Sequence, residues 1–332
     1  LADPEQPQLT GALDTSGSAS DVAVAGDLVY VADQWGGLLV VDVADPDQPT
    51  EIGRIHPGST SGVAVAGEFA YVLADGFVVV DVADPTAPRL VASLAVPGSP
   101  IGVTIQGDHA YVAAHDEGML VIDVADPTQP ELVGSVPVQH HTRAVVVDGP
   151  FAYMTDGAYG VMVVNVGNPA NPLVVGGFVT TYTTWDLALS GGNLYVADLL
   201  GVDVADVTVP TDPQRLGALG APGSTRAVAL TDDWVLLGTA SAGLQIGPRQ
   251  CSVTAAEAAT PVAVRPGVRA APNPTTGPVT VRFAVDRAGP GRVRVYDLAG
   301  RLVRELDGGV LAPGEHAVAW DGRDAGLSHL VD

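Results

Sequence analysis

Lysine is absent from this chain of 332 residues, and all 15 basic residues are arginine. Aspartate and glutamate number 38, which gives a net charge of −23 when histidine is neutral. A surface of this sign repels phosphate backbones, so we do not expect nucleic acid as a partner. The same charge attracts cations.

Cysteine is almost absent too, because Cys251 is the only one and an internal disulfide is therefore excluded. No apolar run approaches the roughly 20 residues of a membrane-spanning helix, so no transmembrane segment is predicted. The printed sequence begins at Leu1 without an apolar signal-like stretch. A mature secreted chain whose signal was removed would begin this way, and so would a shortened one.

Glycine and proline are abundant, with 40 and 26 copies, and they punctuate a repeat of 40 to 42 residues. The strings "VVDVADPDQP", "VVDVADPTAP", "VIDVADPTQP" and "VVNVGNPANP" align Asp42, Asp81, Asp123 and Asn165, and "GVDVADVTVPTDP" is aligned at Asp203. A second recurring position carries tyrosine in five copies: Tyr30, Tyr71, Tyr111, Tyr153 and Tyr195. Repeats of this period are typical of β-propellers.

Each repeat is interpreted as four strands, A to D, with a Gly-Asp or similar turn between A and B. The "ADPxxP" segment then joins C to D, because its prolines stop the strand ladder. Six A-B-C sets are counted, and the sixth has no D strand of its own. We therefore predict a six-bladed β-propeller over residues 1–250, in which the N-terminal segment "PQLTGAL" closes the last blade.

The motif "LVVVDVADP", followed by "LVGS"-like strands, resembles the LVIVD repeat family. The resemblance covers residues 2 to about 247, and it implies a propeller fold on secreted or surface proteins without implying an activity. The expected location is therefore outside the cell or on a bacterial cell surface.

The C-terminal part is predicted as a linker over residues 251–268 and an Ig-like β-sandwich domain over residues 269–332. The strings "NPTT", "VYDLAGRLVREL" and "WDGRDAG" resemble the Ig-like domain related to flagellar hook-capping proteins. In that family a further strand follows, whereas this chain ends in "LSHLVD". The domain is therefore expected to be incomplete.

Candidate functional residues are sought on one face of the propeller, called the top face, where the B-to-C and D-to-A loops vary between repeats. Loops that vary on a rigid scaffold are where binding groups usually lie. His115 and Glu117 are predicted as catalytic acid–base residues. The proposed metal ligands are His140, His141 and Asp186, and the proposed substrate-binding residues are Tyr159, Tyr182, Trp185, Arg143 and Arg226.

Imidazole and carboxylate groups bind Zn²⁺, Ca²⁺ or Mn²⁺, and such an ion would polarise an ester or phosphoester and activate water. The predicted function is thus a metal-assisted hydrolase of an ester, lactone or phosphoester, with no organic cofactor. Six-bladed paraoxonase-like and diisopropyl-fluorophosphatase-like hydrolases place a metal in the channel, and this chain is similar to them in predicted blade number alone. The alternative is a non-catalytic module that binds an extracellular surface partner.

Each of these top-face residues could instead have a purely structural role. Adjacent strand residues point to opposite sides, so His140 and His141 can share an ion only where the loop is irregular. Arg143 and Arg226 occupy equivalent positions and could pair with carboxylates of neighbouring blades. Trp185 and Tyr182 could simply fill the channel, and the run of His115, Asp116 and Glu117 could be a solvated loop tip.

Two further observations reduce the number of candidate functional residues and reaction classes. The aspartates at the "VAD" strand ends, Asp33, Asp75, Asp156 and Asp198, are predicted to cap loop amides. The sequence contains no G-x-S-x-G, H-E-x-x-H, phosphate-binding loop, dinucleotide or EF-hand motif. Cys251 lies in the linker, away from histidine, and is not predicted as a nucleophile.

Overall fold

The propeller region is built from strands alone, apart from one short 3₁₀ turn. The structure, a computed structural model, describes residues 7–248 without a break and then five strands: 269–271, 279–285, 289–296, 302–311 and 314–320. Over residues 7–248, five antiparallel sheets have four strands each and the sixth has three. The predicted six-bladed propeller is confirmed.

The strands of each blade follow one another in the chain and pair in that order. The first three blades contain β1 (Asp21–Ala25), β2 (Leu28–Ala32), β3 (Leu38–Asp42), β4 (Thr50–Ile55), β5 (Gly62–Ala66), β6 (Phe69–Leu73), β7 (Phe77–Asp81), β8 (Arg89–Leu94), β9 (Gly102–Gln106), β10 (His109–Ala113), β11 (Met119–Asp123) and β12 (Glu131–Val136). The last three contain β13 (Val145–Asp148), β14 (Phe151–Thr155), β15 (Val161–Asn165), β16 (Leu173–Phe178), β17 (Thr184–Ser190), β18 (Asn193–Asp198), β19 (Gly201–Asp206), β20 (Gln214–Gly220), β21 (Thr225–Leu230), β22 (Trp234–Thr239) and β23 (Gly243–Pro248). The 3₁₀ turn, Gly157–Tyr159, lies between β14 and β15.

The hydrophobic core lies between neighbouring blades, because both faces of the inner strands are apolar. One cluster joins Tyr71 and Phe77 of the second blade to Val112 and Leu120 of the third, and equivalent clusters join each later pair. The five repeated tyrosines are all less than 5% exposed. The repeat therefore places one aromatic ring in each of the five blade cores, as its period predicts.

The bottom turns show that the repeated aspartates are structural. In the C-to-D turns of the first three blades a carboxylate accepts a hydrogen bond from the backbone N–H two residues on, as Asp42 does from Ala44 N at 2.9 Å. In the fourth blade the amide oxygen of Asn165 accepts the same bond from Gly167 N. In the fifth blade this position is held by Asp206, which pairs across the sheet with Asn193 and accepts from Thr208 N. The alignment at Asp203 was therefore wrong by three residues.

Asp203 instead lies inside the fifth blade, where it is 2% exposed. One of its oxygens accepts a hydrogen bond from the guanidinium of Arg215 at 2.6 Å. The error arose because "DVAD" contains two aspartates three residues apart, and both fit the repeat string. The strand register distinguishes them, since only Asp206 follows the last buried strand residue.

The predicted closing strand at the N-terminus is not formed: residues 7–13 carry no strand, and the sixth sheet pairs only β21, β22 and β23. The segment nevertheless lies against the first blade, because a Cβ atom at Gly11 would collide with the carbonyl oxygen of Pro46. Gly53 and Gly134, in β4 and β12, meet the corresponding prolines of their next blades in the same way. Leu9 is 88% exposed and gives the segment no apolar anchor for a strand.

The chain divides into two compact units, Leu1–Ser252 and Val253–Asp332. The second unit contains β24 (Arg269–Ala271), β25 (Val279–Val285), β26 (Gly289–Tyr296), β27 (Leu302–Leu311) and β28 (Gly314–Trp320). The predicted linker at 251–268, with Cys251, and the C-terminal "LSHLVD" lie outside the described residues. No helix in the described part of the chain is long and apolar enough to span a membrane.

Candidate functional site on the top face

Loops from neighbouring blades meet on the top face through short backbone bridges. His115, in the turn after β10, exchanges two backbone hydrogen bonds with Thr142, in the loop that enters the fourth blade. Gln34 and Thr60 form the equivalent bridge between the first and second blades. His115 and Gln34 also share a left-handed backbone, with φ of 51° and 46°. The path of the His115 loop is therefore a property of the repeat, and only its side chains are special.

Three potential metal ligands converge at this bridge. The Nδ1 atom of His141 lies 2.5 Å from an Asp116 carboxylate oxygen, and the Nδ1 atom of His115 lies 3.0 Å from the same oxygen. All three ligand atoms lie within 4.8 Å of one another. These residues are called the His–Asp–His group below. Sequence reasoning did not assign Asp116 as a ligand, although its place between His115 and Glu117 was noted.

The two adjacent histidines diverge. His141 belongs to the His–Asp–His group, whereas the ring of His140 lies 4.3 Å from that of Tyr159. The backbone N–H of His140 donates to an Asp156 carboxylate oxygen at 3.1 Å, which fixes this part of the loop. The prediction that both histidines bind one ion thus meets a geometry in which only His141 joins the group, although the backbone bends at His140 and is not an extended strand there.

Asp186, the third predicted ligand, is not in the group. Its two oxygens accept hydrogen bonds from Leu187 N and Val228 N, so the carboxylate ties β17 to β21 of the next blade. Asp21 does the same between the first and second blades, through Val22 N and Val63 N. Burial raises the pKa of Asp186 to about 6, against the hydrogen bonds that lower it. The arrangement indicates a structural role.

The two predicted catalytic residues, His115 and Glu117, lie in one turn, but only one of them joins the group. His115 belongs to the His–Asp–His group, while exposed Glu117 lies in the turn that its own backbone N–H closes on Ala114 O. The side chain of Glu117 extends past Gly98, where an added Cβ atom would lie 2.7 Å from its Cγ atom. Glu117 is therefore next to the group in the chain without belonging to it.

The central channel holds a cavity of about 280 Å³ that contains three of the predicted substrate-binding residues, Arg143, Trp185 and Arg226. Each guanidinium carbon lies 4.3 Å from the centre of the Trp185 ring. The alternative expectation, that these arginines pair with carboxylates, is wrong, because neither forms an ion pair within residues 7–248. Tyr159 and Tyr182 are 53% and 39% exposed, in loops of the fourth and fifth blades.

Three of the four "VAD" aspartates act as predicted, since their carboxylates accept hydrogen bonds from loop amides. The fourth, Asp75, is exposed, and no such hydrogen bond forms at it within residues 7–248. Asp33 accepts from Gly17 N at 2.8 Å, and Asp156 accepts from His140 N in the equivalent geometry. Asp198 accepts from Leu200 N at 2.9 Å. These carboxylates are held by the backbone and are buried, so they shape the loops of the top face.

Comparisons with known proteins agree with this architecture. The LVIVD repeat model matches residues 16–56, 57–96, 97–138, 140–180 and 183–217, and the FlgD Ig-like domain model matches residues 273–332. No curated protein matches the chain. The sixth blade lies beyond the last matched repeat, which is consistent with its divergent sequence.

Solved structures similar to this chain share the fold alone. A functionally unknown protein from Desulfotomaculum acetoxidans DSM 771 has a TM-score of 0.58 at 11% identity, with 92% of this chain and 90% of that chain covered. The computationally designed Ika8 protein has a TM-score of 0.57 at 15% identity, with 95% and 100% covered. On its repeats, which match more than half of its length, the chain belongs to the LVIVD repeat family.

Proposed function

We propose that the protein is a metal-assisted hydrolase whose ion is held on the top face by His115, Asp116 and His141. The observation that carries the proposal is the convergence of two imidazole nitrogens and one carboxylate oxygen within 4.8 Å. The three residues come from two blades, so the propeller scaffold fixes their separation. Export to the cell surface or the medium is part of the proposal, supported by the family resemblance.

The donor set favours Zn²⁺ or Mn²⁺ over Ca²⁺. Zinc and manganese accept imidazole together with carboxylate, whereas calcium takes six to eight oxygen ligands. Three protein ligands leave coordination positions for water and substrate, which is the pattern of catalytic sites. An ion bound there would act as a Lewis acid and lower the pKa of a water molecule.

The remaining top-face residues have roles that follow from their surroundings. Glu117 follows Asp116 directly and carries a carboxylate that is free to accept a proton from water. His140 and Tyr159, with ring centres 4.3 Å apart, provide a polar and aromatic surface beside the group. An ester, lactone or phosphoester is the substrate class that uses a Lewis acid and a general base together.

A second candidate, a non-catalytic surface module, is favoured by one observation. The side chains of Asp116 and His141 are 70% and 49% exposed, so the bulk solvent reaches the group directly. Hydrolytic sites usually exclude water around the reacting bond. An exposed ion is also suited to bridging two proteins or a protein and a glycan.

Turnover measurements separate these candidates. Protein without a histidine tag is assayed against esters, lactones and phosphotriesters, with Zn²⁺ or Mn²⁺ and after chelation. If the protein is a metal-assisted hydrolase, chelation should remove its turnover and His141→Ala should lower the turnover at least about 100-fold. His109→Ala is the matched control, since His109 lies at the start of β10 and outside the group. A bound ion with no turnover on any substrate would instead support the second candidate, the non-catalytic binding module.

A further inference from the structure

Arginine is scarce in the propeller, and its distribution is uneven. Only five arginines occur within residues 7–248: Arg54, Arg89, Arg143, Arg215 and Arg226. Two of them, Arg54 and Arg215, are paired with Glu51 and Asp203 at 2.6 Å. Arg143 and Arg226 instead occupy equivalent positions at the start of the A strands of the fourth and sixth blades, on the wall of the channel.

Trp185 lies at the same position of the fifth blade, between these two arginines. Both guanidinium carbons lie 4.3 Å from the centre of its ring, within the range of cation–π attraction. The ring holds the charges in place without neutralising them, because an indole neither accepts the guanidinium N–H groups as a carboxylate would nor cancels their charge. The planar donors thus stay available to another partner.

Neither guanidinium has an anionic partner among the described residues. The Nη1 atom of Arg143 is buried and has no hydrogen-bond acceptor there. Asp21 and Asp186 line the same cavity, but their oxygens accept hydrogen bonds from the backbone N–H groups of Val22, Val63, Leu187 and Val228. Burial lowers the pKa of Arg143, and the neighbouring charge of Arg226 lowers it further.

We propose that Arg143, Trp185 and Arg226 form an anion-binding site in the channel, which takes a small ligand bearing a carboxylate or phosphate group. An unpaired buried N–H group is costly, and an oxyanion satisfies it with charge-assisted hydrogen bonds. Guanidinium groups bind both kinds of oxyanion in bidentate fashion. The cavity of about 280 Å³ admits a small molecule rather than a polymer segment.

The site is independent of the proposed hydrolase, because no metal takes part. With a net charge of −23, the chain as a whole repels anions, so saturable anion binding requires a local site of this kind. The choice between carboxylate and phosphate is left to the probes.

Binding is measured by calorimetry with sodium succinate and with inorganic phosphate, at constant ionic strength set with sodium chloride. Metal ions are removed beforehand by dialysis against a chelator and then against metal-free buffer without the chelator, so that phosphate cannot be held by an ion at the His–Asp–His group and no chelator carboxylate competes for the site. The expected result is saturable binding of at least one probe, weakened at least about 10-fold by Arg226→Gln and by Arg143→Gln. Arg89→Gln, which removes an exposed arginine from β8, should retain the affinity of the unchanged protein.

Arg226 has an exposed side chain, so its variant keeps the test valid if Arg143→Gln does not fold. Circular dichroism verifies folding of each variant. Absence of saturable binding with both probes overturns the proposal, and so does equal affinity in the Arg226→Gln and Arg89→Gln variants.

Discussion

The imidazole rings of His115 and His141 stack across the boundary between the third and fourth blades, with ring centres 3.9 Å apart and an interplanar angle of 13°. Each ring directs its Nδ1 atom towards one oxygen of Asp116. The stack therefore brings two imidazole nitrogens from different blades to one carboxylate oxygen, which is the arrangement of donors that a metal ion needs.

Loss of one imidazole from the His–Asp–His group should abolish tight metal binding. We expect His141→Ala to weaken Zn²⁺ binding at least about 100-fold, because two ligands remain where three converged. His140→Ala should change the affinity less than about threefold, since the ring of His140 contacts Tyr159 instead. Competition with a zinc-sensitive dye measures both, and an equal loss in the two variants would contradict the assignment.

The carboxylate of Asp116 should be required for the same site. Asp116→Asn keeps the size of the side chain and replaces one ligand oxygen by an amide nitrogen, so the affinity for Zn²⁺ should fall at least about 10-fold. Asp108→Asn, in the turn between β9 and β10, removes the same charge at the opposite end of the blade. Unchanged affinity in Asp116→Asn would show that the two histidines bind without it.

Because Asp186 is buried, we expect the free energy of unfolding to decrease as the pH rises. Its pKa in the folded protein is about 6, above the 3.8 of an unperturbed aspartate, so between these values the folded state binds more protons than the unfolded chain. The free energy of unfolding should therefore decrease from pH 4 to pH 6, by about 2 kcal/mol for this group. Urea denaturation at several pH values measures the slope.

Asp186→Asn should flatten that slope, since an amide does not titrate in this range. The control is Asp47→Asn, which changes an exposed turn residue. Identical slopes in Asp186→Asn and the unchanged protein would contradict the prediction.

Two equivalent threonines should respond differently to the same substitution. The hydroxyl of Thr60 donates to Gly37 O at 2.9 Å, whereas the hydroxyl of Thr142 is buried with no partner in the described part of the chain. Thr60→Val should lower the free energy of unfolding by about 1 to 2 kcal/mol, and Thr142→Val by less than about 0.5 kcal/mol. Thermal denaturation of both variants measures this, and the reverse order would contradict the hydrogen-bond assignment.

Much of the fold could be predicted because the repeat constrains it. Tyr30 and its counterparts fall in register, and strand alternation then places them in the core. The register of the fifth blade could not be read with the same certainty, because Asp203 and Asp206 both fit the repeat string. The closing strand was predicted from the count of strands alone. Residues 7–13 instead lie against the first blade, where the Thr10 hydroxyl donates to Pro46 O, and Leu9 is exposed.

The candidate site could be predicted only as a region. His115 and His141 stand out because they depart from the repeat. Their meeting depends on the bridge between His115 and Thr142, which recurs as Gln34–Thr60 between the first two blades but cannot be recognised in the repeat strings. Asp186 was predicted as a metal ligand because a carboxylate can bind a metal ion. Its two oxygens instead accept hydrogen bonds from the backbone, one from Leu187 N in its own strand and one from Val228 N in the next blade. Distances between loops of different blades are set by blade packing, so the sequence alone does not supply them.

The most direct test of the proposed metal centre is the zinc content of the protein itself. Protein without a histidine tag is dialysed against Zn²⁺ and then against metal-free buffer, and elemental mass spectrometry gives the ions bound per chain. About one zinc ion per chain is expected, and close to none in His141→Ala and Asp116→Asn. Absence of retained zinc in the unchanged protein, or the same zinc content in all three, would contradict the proposed metal centre.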